Sequence, residues 1–247
     1  MSNPSQLRLV VGLQPVREAI RTHQFRLDRL ILEARPSDRL EALERFARDQ
    51  GVNTIERLSR QLIDRLSNNV EHQGVLCWAP PLRLLSLDVL LQEPSLLAIA
   101  LDEIQDPQNF GAIIRSAVGI ADAPIIWGEH ASAPLSPATF RASAGAIEQA
   151  KLCRVHSLRD ALRQCANSGC DVIGLDPHAT QPIHQFTFAN PTVLVLGSEH
   201  RGIGRGVKAC CTGFAKLSSS GRLDSLNASV AAGIALHTVR ISRINSM

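Results

Sequence analysis

The sequence predicts an α/β protein in two units, on three observations. Short continuous apolar runs, the pattern of buried strands, alternate with stretches whose apolar residues recur at helical spacing. With 247 residues, 45% of them hydrophobic, the chain can form one large or two modest cores. Near residue 80, Cys77-Trp-Ala-Pro-Pro81 and Gln92-Glu-Pro-Ser95 bracket a leucine-rich connector, and Pro-Pro favours an extended spacer. The expected parts are a domain over residues 1–78, a linker over 79–94 and a second domain over 95–247.

In the first domain, Leu7 to Val11 and Leu30 to Leu32 read as short buried strands. Leu40, Leu43, Phe46 and Ala47 form a helical stripe over Asp38 to Gln50, with Ser37 placed to cap the helix and Gly51 to end it. Val52 to Ile55, Arg60 to Leu66 and Gly74 to Cys77 continue the alternation of strand and helix. The second domain opens on Leu96 to Leu101, an unbroken apolar run typical of a parallel strand. A helix follows, carrying Phe110, Ile113, Ile114, Ala117 and Val118. Strands are expected at Ile125 to Trp127, Val172 to Leu175, Thr192 to Leu196 and Ala215 to Leu217, and a small-residue helix at Thr139 to Ile147. The last helix, from about Leu226 to Ser242, carries its apolar stripe on Leu226, Val230, Ile234, His237 and Ile241.

Composition excludes several classes. No run of about 18 apolar residues exists to span a bilayer, and Met1-Ser-Asn-Pro-Ser-Gln-Leu-Arg lacks the apolar block of a secretion signal, so a cytoplasmic protein is expected. The six cysteines form no CxxC pair, which argues against a structural zinc site or a disulfide framework. His178 and His184 have no third ligand nearby in sequence, and no metal is expected. Only three of the 26 basic residues are Lys, and Arg is the side chain that forks onto phosphate; a high-GC genome gives the same bias. In residues 1–78, twelve Arg face ten acids, so that domain is not a basic patch by count.

Polar residues cluster where strands give way to loops or helices, the place where α/β domains put their chemistry. Gly202-Ile-Gly-Arg-Gly206 has neither the GK[ST] ending of a P-loop nor GxGxxG spacing, and Gly197-Ser-Glu-His200 is no nucleophile elbow. Asn109 reads locally as a helix N-cap, Arg115 as a solvated cation, Glu199 as a turn cap, and Ser225 and Asn227 as caps of the last helix.

Together these segments resemble the three motifs of the SpoU (TrmH-like) family of SPOUT-class RNA 2′-O-ribose methyltransferases. Asp106-Pro-Gln-Asn-Phe-Gly-Ala-Ile-Ile-Arg115 looks like the first, Leu196-Gly-Ser-Glu199 followed by Gly202-Ile203 is similar to the second, and Ser225-Leu-Asn-Ala-Ser-Val-Ala-Ala-Gly233 looks like the third. Arg141-Ala-Ser-Ala-Gly-Ala146 matches a further small-residue segment. Val11-Gly-Leu-Gln-Pro-Val-Arg-Glu-Ala19 and His72-Gln-Gly74 resemble the family's substrate-binding domain. Within that family the chain most resembles the branch that acts on 23S ribosomal RNA, which implies a guanosine ribose as the target.

The resemblance implies a small L30e-like α/β domain, then a SPOUT domain with a parallel sheet and a C-terminal trefoil knot. It also implies a homodimer and S-adenosylmethionine as methyl donor, bound near Leu196, Gly197, Leu217, Ser219 and Leu226 with Ser143, Ala144 and Gly145 close by. Asn109, Arg115, Glu199, Ser225 and Asn227 become the catalytic set. Arg115 is placed at the 2′-hydroxyl either as base or as a clamp on the adjacent phosphate. The substrate implied is 23S ribosomal RNA or its assembly intermediate, with transfer RNA as the second choice and a catalytically silent RNA-binding factor as the other class. One departure stands out. Where the family commonly reads Ile-Pro-Met before the third motif, this chain has Leu217-Ser218-Ser219, which removes a rigid proline and an apolar methionine.

Overall fold

A computed structural model describes residues 7–245 except 36, 131, 134 and 219–224. Its contacts divide the chain into two compact units, one of residues up to 82 together with 140–149, the other of 83–139 and 150 onward.

In the first unit the elements run β1 (Arg8–Val11), α1 (Leu13–His23), β2 (Arg29–Glu33), α2 (Asp38–Asp49), β3 (Ile55–Leu58), α3 (Arg60–Leu66) and β4 (Val75–Ala79). The sheet order is β1-β4-β2-β3, with β4 antiparallel to both neighbours and β2 parallel to β3. Ser37 caps α2 as expected, its hydroxyl accepting the Leu40 N–H at 3.3 Å, and Gly51 follows the helix at φ +79°. The third strand lies a few residues beyond the expected Val52 to Ile55. Val52 is drawn back instead by its N–H bond to the Ala47 carbonyl at the end of α2. The core joins Val16 and Ile20 of α1, Leu30 and Leu32 of β2, Leu40 and Leu43 of α2 and Val75 and Cys77 of β4.

Residues 140–149 belong to this unit because a buried charge network holds them there. Glu148, nearly inaccessible, accepts from the Arg8 guanidinium, with Nη1 to Oε1 at 2.7 Å, and lies 3.0 Å from His23 Nε2. Burial pushes its carboxyl up, but His23 and Arg8 outweigh that and hold it below the usual carboxylate range. The domain boundaries read from the sequence run continuously from 95 to 247; the contacts give this ten-residue piece to the first unit.

The second unit contains α4 (Leu87–Leu90), β5 (Leu97–Asp102), α5 (Pro107–Ala121), β6 (Ile125–Gly128), the start of α6 (Pro137–Ala142), β7 (Leu152–Val155), α7 (Leu158–Asn167), β8 (Asp171–Leu175), β9 (Thr192–Gly197), α8 (Arg205–Lys208), β10 (Gly213–Ala215) and α9 (Ala228–Asn245). All six strands are parallel, in the order β10-β8-β9-β5-β6-β7. From β5 the chain builds outward on one side through β6 and β7, then returns to the other side, so the order reverses between β5 and β9. That reversal opens a crevice at the carboxyl ends of β5 and β9. The C-terminal segment expected to form a trefoil knot includes residues 219–224, which lie outside the described residues.

Three expectations change here. The helix expected over Thr139 to Ile147 stops at Ala142, because Ala144 and Gly145 take left-handed φ values of 50° and 85°; a 3-10 turn, Ala146–Glu148, follows. The strand expected at Ala215 to Leu217 ends at Ala215. The apolar stripe expected to bury α9 faces outward: Leu226, Val230, Ile234, His237 and Ile241 are all exposed, while Ala228, Ala231, Ala232, Ala235, Leu236 and Val239 pack inward. Small side chains let α9 lie close against α5, and this is the most extensive helix pairing in the unit. Among the described residues no helix is long and apolar enough to cross a membrane.

Candidate active site

The end of β5 and the end of β9 stand side by side, with Asp102 opposite Gly197 in the ladder. After β5 the chain turns through Glu103, which takes φ +56°, and enters α5 at Pro107. Asp106, not Asn109, is the N-cap of this helix, its carboxylate accepting the Gln108 N–H at 3.0 Å. Asn109 therefore sits inside the first turn, 9% exposed, with its amide free to reach across the sheet end.

After β9 the chain makes a tight loop in which the Gly202 N–H bonds the Ser198 carbonyl at 2.8 Å. The loop folds back so closely that a Cβ on Gly197 would lie 2.1 Å from the Gly202 carbonyl carbon and 2.3 Å from the Ile203 nitrogen. Only glycine fits at 197. The Gly204 N–H then bonds Asp102 Oδ2 at 2.7 Å, tying the loop to β5; burial pushes this carboxyl up, and the Gly204 bond only partly opposes it.

These two turns and the start of α9 bring three expected residues together. Asn109 Nδ2 donates to Glu199 Oε1 at 3.0 Å, Asn227 Nδ2 donates to the same oxygen at 2.7 Å, and the Ala228 N–H reaches it at 3.3 Å. Asn227 Nδ2 also donates to Asn109 Oδ1 at 2.9 Å, closing a ring of three side chains. The carboxylate thus lies beside the N-terminal turns of both α5 and α9, where helix dipoles favour negative charge. Asn227 caps α9 as well, its Oδ1 accepting the Ser229 N–H at 3.0 Å and the Ser229 hydroxyl at 2.6 Å. The structural and the functional readings of this residue coincide.

Beside the cluster opens a cleft of about 430 Å³, lined by Glu103, Ile104, Gln105, Asp106, Asn109, Ser198, Glu199, His200 and Arg201. Gln105, His200 and Arg201 were not singled out from the sequence, although they adjoin motif residues; adjacency to Asp106 and Glu199 was the available signal. Arg115 and Ser225 are exposed and make no hydrogen bond or ion pair with the cluster or with any other described residue. Six residues along α5, Arg115 is about 9 Å further along the axis than Asn109 and on a different face.

Of the expected cofactor positions, Leu196 and Gly197 form the end of β9, Leu217 is half-buried beyond β10, and Leu226 is exposed just before α9. Ser219 lies outside the described residues. Ser143, Ala144 and Gly145 stand in the first unit. There the Ser143 hydroxyl donates to the Phe140 carbonyl at 2.8 Å, and a Cβ on Gly145 would meet Pro15 and Glu18 at 2.9 Å.

A parallel sheet with polar groups gathered at its point of reversal defines the class of α/β domains that bind a ligand at the carboxyl ends of their strands. Family comparison makes that class specific. The SpoU rRNA Methylase family profile matches residues 96–237, and a profile for RNA 2′-O ribose methyltransferase substrate binding matches residues 9–85. The chain belongs to the SpoU methylase family. A curated relative, an uncharacterized tRNA/rRNA methyltransferase of Mycolicibacterium vanbaalenii, is 35% identical over 242 residues, covering 95% of this chain and 76% of its own. The SpoU methyltransferase AviRb from Streptomyces viridochromogenes has the same fold, with a TM-score of 0.78 at 24% identity over 97% of this chain and 91% of that one. Its complex with the cofactor AdoMet superposes with a TM-score of 0.76 at 24% identity, covering 96% and 91%.

Proposed function

We propose that this protein transfers a methyl group from S-adenosylmethionine to a ribose 2′-hydroxyl of RNA, at a guanosine of 23S ribosomal RNA. The observation that carries this reading is the convergence of the Asn109 and Asn227 amides, from two separate segments, on one carboxylate oxygen of Glu199, from a third, beside an open cleft.

The residues present suit the cofactor. Leu217 and Leu226 supply apolar surface in the same unit, and Gly197 lets the Gly202–Ile203 backbone fold closely over the end of β9 to shape the loop beside them. When bound, S-adenosylmethionine supplies a methyl already activated on a sulfonium. What remains for the protein is to align the hydroxyl and to manage the proton and charge of a weakly acidic alcohol.

Glu199 is held through Oε1 by two amides and a backbone N–H, so Oε2 stays available to accept from a ribose hydroxyl or a guanidinium. Arg115, exposed and unpaired among the described residues, has its whole fork free for a phosphate. A guanidinium keeps its proton in proteins, so Arg115 serves better as clamp on the phosphate and on developing alkoxide charge than as base. Ser225, exposed two residues before Asn227, positions the 2′-oxygen. The first unit binds the RNA, in keeping with its match to a substrate-binding profile.

The exposed apolar face of α9, with Val230, Ile234, Ile241 and Ile244, suits a second copy of the chain, so the working form is a homodimer. The place of action is the cytoplasm, where ribosomal RNA is processed.

Substrate choice is tested by offering undermethylated 23S ribosomal RNA and transfer RNA in parallel with labelled S-adenosylmethionine. Label confined to one guanosine of 23S RNA is expected. Label on transfer RNA alone would move the substrate. No label on either RNA from folded protein would favour a silent RNA-binding factor.

A further inference from the structure

A second set of polar side chains stands at the carboxyl ends of β6 and β7, apart from the cleft residues. These strands are parallel with Gly128 opposite Val155, and the Glu129 N–H donates to the Val155 carbonyl at 2.9 Å. The ladder therefore carries one step past both strands and sets Glu129 beside His156. Glu129 Oε2 lies 3.3 Å from His156 Nδ1, and the His130 ring stands edge-on to the His156 ring at 5.7 Å. One ligand atom from each of the three residues falls within 4.8 Å of the others.

Ligand atoms about 2.1 Å from an ion in a tetrahedron stand about 3.4 Å from one another. All three side chains are exposed, so small rotamer changes close that difference without disturbing a core. A surface ion pair alone would need neither the second imidazole nor this convergence. Two imidazoles with one carboxylate select zinc, copper or nickel over magnesium or calcium, which prefer all-oxygen sites. The opposing charge is Arg154, whose Nε is 3.8 Å from Glu129 Oε1 and which an incoming cation would displace.

We propose that Glu129, His130 and His156 bind a divalent first-row transition ion such as Zn²⁺, with water in the remaining position. This site is independent of methyl transfer and needs neither RNA nor S-adenosylmethionine. Four of the six cysteines are buried, and burial pushes the Cys165 thiol up to about 12, so thiolates are poor competitors.

The test is calorimetric titration of the tag-free full chain with ZnCl₂ alone, followed by Co²⁺ absorption spectroscopy. Wild type should bind one ion. His130→Ala and His156→Ala should each weaken binding at least about tenfold, since even losing a residue that only supports a ligand costs that much. Their melting profiles should stay unchanged, and Cys210→Ser should bind as wild type does. Binding should fall in acid, where protonated imidazole cannot ligate, with Glu129 and Arg154 the other charged groups facing the site. A His130→Ala/His156→Ala double variant binding zinc as wild type does, or a sulfur-to-cobalt charge-transfer band, would overturn the assignment.

Discussion

Replacing Glu199 by alanine separates a cluster that holds the site together from a set of side chains that merely lie near one another. The substitution removes the acceptor of the Asn109 amide, and that amide is buried. A buried donor left unpaired costs about 1–3 kcal/mol. Asn227 is exposed and regains water, so its lost bond adds little. Loss of the negative charge beside the first turn of α9 adds about 0.3–1 kcal/mol. A total of about 1.3–4 kcal/mol, at about 2–4 °C per kcal/mol for a chain of this size, lowers the melting temperature by about 3–16 °C. Glu199→Gln keeps an acceptor oxygen and should lose only the charge contribution, about 0.3–1 kcal/mol. A thermal double-mutant cycle with Asn109→Ala should show a coupling of about 0.5–3 kcal/mol, because the two residues share one bond. If Glu199→Ala melts with wild type, or the cycle shows no coupling, the cluster is not what orders these three segments.

Other consequences follow from single contacts. Gly197→Ala drives a Cβ into the Gly202 and Ile203 backbone and should cost more than about 3 kcal/mol in urea unfolding, beyond the usual range for overpacking. Glu148, whose folded carboxyl is held low, contributes stability that is present above the pH where it titrates unfolded and is lost as pH falls through its folded value; Glu148→Gln should lose stability near neutrality and flatten the acid limb of a pH-denaturation curve. An acid limb unchanged by that substitution would mean that the network with Arg8 and His23 does not hold residues 140–149. Val230→Glu with Ile234→Glu places charge on the exposed face of α9 and should turn the proposed dimer into a monomer in light scattering, with the melting temperature of the monomeric unit kept, since both side chains already face outward.

Much of this was legible in the sequence, for identifiable reasons. Continuous apolar runs gave β5 and β9 because a doubly covered parallel strand has no polar face to confuse the pattern. The helix at Asp38 was legible because Ser37 and Gly51 mark both ends chemically. The last helix misled because hydropathy favours large side chains: Val230, Ile234 and Ile241 look like a core stripe, yet close packing on α5 selects the alanines. Residues 140–149 misled because their place depends on ion pairs of Glu148 with Arg8 and His23, between 125 and 140 residues away in sequence, which periodicity does not register. Asn109, Glu199 and Asn227 were named only as members of motifs; their common focus on one oxygen is a property of the β5 and β9 register. The nearness of Glu129 and His156 was not legible because strand pairing, not spacing, makes them neighbours.

The central claim is that the cluster and Arg115 serve methyl transfer to a ribose. Its most direct test is transfer of labelled methyl from S-adenosylmethionine to undermethylated 23S RNA, with alkaline hydrolysis to find the label. Wild type should place it in one alkali-resistant dinucleotide, the mark of a blocked 2′-hydroxyl, and Arg115→Ala and Glu199→Gln should lose the label while remaining folded. Label on a base, or undiminished transfer by both variants, would contradict the account.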